Sequence, residues 1–172
     1  MEDPGGGEGL EQGGWQIPFF DDDINAYAKE VLSESDALLL GRVTFEHFAQ
    51  AWPSITDGEG FADRMNSISK FVASRTLAEP LEWNATLIKG DVVEEVNRLK
   101  QDRTLLLNGS GELARTLMQH GAIDDYRIWI HPVALGAGKR LFPDGLGLKG
   151  LTLRETHTTG KGVVILALDA AR

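Results

Sequence analysis

The chain has no cysteine, only two tyrosines and three methionines, and no apolar run near the ~20 residues that a membrane-spanning helix needs. Without cysteine there are no disulfides and no thiolate metal sites, and a cytoplasmic home is expected. The four histidines, His47, His120, His131 and His157, lack the close spacing of metal ligands, so they read as structural or surface residues and no metal is expected. Cations are also short, 17 Lys and Arg against 26 Asp and Glu. The net charge of −9 argues against a nucleic-acid or membrane partner. The N-terminus is acidic and glycine-rich, which is not the pattern of a secretory signal.

What is present is ordinary for a globular protein: 172 residues, 42% hydrophobic and 25% charged. Residues 1–14 carry six glycines and no periodicity, and read as a flexible segment before a single domain over residues 15–172. Trp15 to Phe20 is a dense apolar patch, either a buried anchor or, through Trp15 and Phe20, the lining for a ring-shaped ligand. Asp21, Asp22 and Asp23 open a helix to about Ser33. Acids in a first turn suit the helix dipole, so Asp21 and Asp22 are capping groups or, on a second reading, proton donors.

The rest of the chain is organised around Thr104 to Met118, TLLLNGSGELARTLM. Leu105 to Leu107 suit a strand buried on both faces, and Leu113, Ala114, Leu117 and Met118 recur at helical spacing. Between them, Gly109, Ser110 and Gly111 make a turn that points free N–H groups at an anion. Two more strand ends look similar. Ala37 to Leu40 runs into Gly41-Arg42-Val43-Thr44, and Lys70 to Ala73 runs into Ser74-Arg75. Further elements are expected as a helix over 61–68, a strand over 86–88, a helix over 91–101 and a strand over 126–133. Two final strands, about 151–157 and 163–168, are close enough to form an antiparallel hairpin. The fold class is therefore α/β, a mixed, mostly parallel sheet flanked by helices with a C-terminal antiparallel hairpin. Ligands of such sheets sit beyond the carboxyl ends of the strands, so three polar turns on one rim point to a nucleotide.

With these segments in order, the chain resembles the dihydrofolate reductase-like superfamily. Within it, it is most similar to small reductases related to the C-terminal domain of the bacterial riboflavin-biosynthesis deaminase/reductase. The resemblance covers about residues 15–168 and rests on LLLGRVTFE, FVASRTL, LLLNGSGELARTL and, most specifically, IDDYRIWIHPVALGAGKRLF. It implies NADPH as cofactor and a small heterocyclic, pterin- or pyrimidine-like substrate. Arg42 and Thr44 would meet the cofactor's phosphates, Ser74 and Arg75 the 2′-phosphate, and Gly109 to Gly111 the pyrophosphate. Lys139 and Arg140, in a glycine-rich loop, would meet a substrate phosphate or are simply solvated charges. A homodimer is also implied. Relatives begin with a strand that lines the nicotinamide pocket, and nothing before Trp15 reads as that strand. The expectation is that the chain starts late, at an internal methionine, or else that another segment fills the slot: residues 1–14 rearranged, a partner subunit, or a narrowed sheet that closes over the gap. Alternatives to a reductase are a nucleotide-binding module without turnover and a structural dimer that keeps a degenerate rim.

Overall fold

The structure, a computed structural model, describes residues 3–7, 9, 11–136, 138–142, 144–147 and 150–171. It forms two compact units, Ala28–Ala122 and Met1–Tyr27 with Ile123–Arg172. No helix among the described residues is long and apolar enough to cross a membrane.

The unit Ala28–Ala122 is built on a four-stranded parallel sheet of order β3-β2-β1-β4. Its strands are β1 (Ala37–Gly41), β2 (Ser69–Ala73), β3 (Ala85–Leu87) and β4 (Leu105–Leu107). Ala37 to Leu40 are all buried, as a strand with neighbours on both sides and cover on both faces requires. Helices α2 (Arg42–Ala51), α3 (Phe61–Ser67), α4 (Val92–Leu99) and α5 (Gly111–Gln119) accompany the sheet. Leu38, Leu40, Phe45, Met65, Ile68 and Val72 form the core, with Phe48, Trp52 and Trp83 against it. Each such side chain contributes roughly 1.5–3 kcal/mol by leaving water.

The other unit holds a separate three-stranded antiparallel sheet of order β5-β7-β6. It comprises β5 (Asp125–Ile130), β6 (Leu151–Thr158) and β7 (Val164–Ala170). The C-terminal hairpin is present as β6 and β7, and β5 pairs with β7 rather than with the parallel strands. β5 ends before His131-Pro132, short of the expected Val133, because proline has no N–H for the ladder. There the chain turns tightly, Val133 N donating to His131 O at 2.8 Å. Helix α1 (Asp22–Ser33) starts in this unit, where Ile24 packs with Val163 and Ile165, bordered by Phe19, Tyr27 and Trp129.

Pairing fixes the two faces of this sheet, since directly opposed residues point the same way. One face carries Trp129, Ile165 and His157 in one row, and Arg127, Ala167 and Glu155 in the next. The other carries Tyr126, Leu168 and Leu153, then Ile128, Leu166 and Thr156, then Ile130, Val164 and Thr158. A bulge between Leu153 and Glu155 keeps both rows in phase.

Among the described residues before Ile17 there is no strand. They form turns instead, closed by Gly14 N on Asp3 O at 2.9 Å and Gln16 N on Pro4 O at 3.2 Å.

Candidate functional site

The register of the parallel sheet aligns its carboxyl ends. Gly41 stands opposite Ala73, Leu39 opposite Leu107, and Val72 opposite Leu87. The residues that follow, Gly41-Arg42, Ser74-Arg75 and Asn108 to Gly111, therefore share one rim, as the sequence predicts. The structure brings eight predicted residues together there: Gly41, Arg42, Thr44, Ser74, Arg75, Gly109, Ser110 and Gly111.

Gly109 and Ser110 are consecutive left-handed residues, at φ 64 and 53. A Cβ on Gly109 would meet Thr44 Cγ2 at an ordinary 3.5 Å, so it is the backbone angle that asks for glycine. The turn is tied to the β1–α2 turn by two bonds. Gly41 N donates to Ser110 Oγ at 2.9 Å, and Ser110 N donates to Thr44 Oγ1 at 3.2 Å. Neither α2 nor α5 has a side chain capping its N-terminus. By contrast Asp91 caps α4, accepting from Val93 N at 2.9 Å and Glu94 N at 3.0 Å. Two of the rim's helices thus keep N–H groups and the positive end of their dipole for an anion. A Cβ at Gly111 would meet nothing within 4 Å, which is open space at the start of α5. These features suit a nucleotide's phosphates.

The charged residues of the rim differ in readiness. Arg42 Nη1 is held by Glu46 Oε2 at 2.8 Å, one turn along its own helix. Ser74 Oγ accepts from Thr76 N at 3.1 Å and Leu77 N at 3.0 Å, forming a turn that carries Arg75. Arg75 is exposed and bonds to no described residue. Lys89, one residue past β3 and its extension at Ile88, is a further cation of this rim, paired to Glu79 Oε2 at 2.6 Å. Sequence reasoning passed over it. The signal was a short strand followed by Lys89-Gly90.

The remaining predicted residues belong to the other unit. Asp21 Oδ1 accepts from Ile24 N at 2.9 Å, and its Oδ2 from Lys161 N at 2.9 Å. Asp23 Oδ2 accepts from Gly160 N at 2.8 Å, so the two carboxylates fasten the hairpin turn to the start of α1. The Ile24 bond above all holds the Asp21 carboxyl below the usual carboxylate range. Asp22 is exposed and bonds to no described residue. Phe20 is 44% exposed, and Trp15 meets His131 edge-on at 5.1 Å. Phe19 meets the same ring at 5.6 Å. The His131 Nε2 between them is buried without a hydrogen-bond partner. Burial pushes the His131 pKa down, with a bond to the Trp129 backbone working the other way. Arg140 pairs with Asp144 at 3.0 Å, and Lys139 is exposed in the same loop. No group of three or more possible metal ligands occurs among the described residues.

Comparison with known proteins places the fold in a family. The chain is 34% identical over 140 residues to the uncharacterized protein YyaP of Bacillus subtilis (strain 168), covering 78% of this chain and 74% of that one. A crystal structure from Shewanella sp. PV-4, of a protein named for riboflavin biosynthesis, superposes with a TM-score of 0.68 at 21% identity, over 89% of this chain and 81% of its own. A pyrimidine reductase-like protein from Corynebacterium diphtheriae superposes with a TM-score of 0.64 at 11% identity, over 90% and 84%. At such identities the two structures share the fold with this chain. A family model described as the RibD C-terminal domain matches residues 6–165. From the strand-end turns to the final hairpin, this chain belongs to the RibD C-terminal domain family.

Proposed function

We propose that the protein is an NADPH-dependent reductase of a small heterocyclic, pterin- or pyrimidine-like substrate of the riboflavin or folate type. The observation that carries this reading is the pair of uncapped helix starts joined through Ser110 on a rim with Arg75. When bound, the cofactor supplies a hydride to an electron-poor C=N or C=O of the substrate. The N–H groups at the starts of α2 and α5 hold its phosphates, and Thr44 adds a hydroxyl donor. Arg75 meets the 2′-phosphate, with Arg42 beside it once its contact to Glu46 opens. Of the two candidate acids, Asp21 is committed to the hairpin, so Asp22 is the better proton source. The pyrimidine reductase-like neighbour supports the substrate class.

The test is calorimetric titration of wild type and Arg75→Ala with NADPH and NADH, then NADPH oxidation assays across pterins and pyrimidines. Losing one charge-assisted contact should weaken NADPH about 10- to 100-fold and leave NADH unchanged. Equal losses for both cofactors would remove Arg75 from the 2′-phosphate site. A second reading is nucleotide binding without turnover. NADPH binding with no oxidation of any substrate would select it.

A further inference from the structure

We propose that Asn108-Gly109, in the turn between β4 and α5, is a site of spontaneous deamidation, and that the change releases this turn from the β1–α2 turn. Of the chain's five asparagines, Asn108 is the one followed by glycine. With no Cβ on the next residue, nothing shields the main-chain nitrogen from the asparagine side chain, so such a pair is labile. The structure leaves both reacting groups unengaged. Asn108 and Gly109 are exposed, and neither the Asn108 carboxamide nor Gly109 N bonds to a described residue. The other asparagines are held. Asn66 Nδ2 donates to Trp52 O at 3.1 Å, and its Oδ1 accepts from Trp83 Nε1 at 2.7 Å. Asn84 Nδ2 donates to Ser67 O at 2.9 Å. Asn25 and Asn97 lie inside α1 and α4, where the following N–H is spent on the helix ladder.

The reaction needs only water. Gly109 N gives up its proton and attacks Asn108 Cγ, closing a cyclic imide. The Cγ–Nδ2 bond breaks, and the nitrogen leaves as ammonia. Water then opens the imide. Cleavage at Cγ leaves aspartate at this position. Cleavage at the main-chain carbonyl carbon leaves isoaspartate, in which the chain runs through Cβ and Cγ. The turn leads straight into the uncapped start of α5, whose dipole favours the negative charge formed as the amide proton leaves. The products bear on the two bonds that tie the turn down, Ser110 N to Thr44 Oγ1 at 3.2 Å and Gly41 N to Ser110 Oγ at 2.9 Å. Isoaspartate lengthens the main chain by one atom just before Ser110 and so pushes it off both partners. Aspartate keeps the chain path and adds a negative charge to the rim. Either product weakens phosphate binding there, a consequence that rests on the reductase reading; the modification itself does not.

The test is to age wild type at pH 8 and digest it with trypsin, which releases residues 104–115 as one peptide with Asn108 as its lone asparagine. Mass spectrometry should find that peptide heavier by the exchange of NH2 for OH, and split into aspartyl and isoaspartyl forms. Residues 65–70, the tryptic peptide that holds Asn66, should change only when the chain is unfolded in urea. In the folded protein Asn108 should convert within ~10-fold of its rate in urea, as an exposed, unbonded turn allows. Amide exchange at Ser110 should quicken in the aged protein, and NADPH should bind about 10-fold more weakly. Asn108→Gln, whose longer side chain would have to close a larger ring, should keep its fresh exchange rate and affinity through the same ageing. An Asn108 as protected in the folded protein as Asn66 overturns the proposal, as does converted protein whose Ser110 exchange is unchanged. So does an Asn108→Gln that ages as wild type does. Fresh wild type that fails to bind NADPH, yet shows the conversion and the quickened exchange, would end the reductase reading and uphold this one.

Discussion

Lys70 offers a stringent test of the packing in the unit Ala28–Ala122. It lies within β2, opposite Leu38 on one side and Ala85 on the other, and is 1% exposed. Its Nζ donates to Asn66 O at 2.9 Å, near the end of α3, and lies 4.0 Å from the centre of the Trp83 ring. No carboxylate reaches it among the described residues, and Arg64 is the nearest influential charge. Burial, with a smaller contribution from Arg64, lowers its pKa from 10.5 to about 8. At 1.36 kcal/mol per unit, keeping this ammonium buried costs on the order of 3 kcal/mol at neutral pH. The Trp83 face, worth about 2 kcal/mol when desolvated, works against that cost. The sign follows from proton counts. Between pH 8 and 10.5 the unfolded chain binds the proton that the folded chain has released, so stability rises with pH in that window. Lys70→Met should therefore be more stable than wild type at pH 7, despite losing the bond to Asn66 O. The advantage should shrink by about 1–3 kcal/mol toward pH 10. Urea unfolding of both proteins at pH 7, 8, 9 and 10 measures it. A difference that stays flat, or that widens as pH rises, would refute the reasoning.

Two further expectations concern the other unit. Asp21→Asn keeps only one of two carboxylate acceptors, so hydrogen exchange at Gly160 and Lys161 should quicken while turnover persists; Asp22→Asn should lower kcat and leave that exchange unchanged. Because the Asp21 pKa is lowered, its contribution is complete at neutral pH and is lost as pH falls through the folded value. His131 has a lowered folded pKa, so the unfolded chain takes its proton first as pH drops below the ordinary 6.5. Wild type should lose stability from there downward, and His131→Phe, which also removes the orphaned Nε2, should not; parallel thermal melts at pH 5 to 8 would show it.

Much of the fold was legible because strands buried on both faces and glycine turns leave local marks. Ala37 to Leu40 and Leu105 to Leu107 announced their strands, and the turn at Gly109 to Gly111 announced the rim. The division into two sheets was not legible, because partner choice for β5 depends on long-range pairing and not on its own residues. The same holds for Asp21 and Asp23. Their neighbours Lys161 and Gly160 lie 140 and 137 positions away, so the acids read equally well as simple helix starts. Lys70 reads from the sequence only as the first residue of a short strand. Its burial depends on Trp83 and Asn66 folding over it, which no local pattern announces.

The contrast between Asp91 and the two uncapped helices also sets a length scale. At the end of β3 the protein supplies its own anion, so that helix start is already taken. The two uncapped starts follow β1 and β4, which are adjacent strands, and adjacent strands stand about 5 Å apart. For the cofactor proposed above, the sheet itself would set the spacing between the two groups of N–H donors.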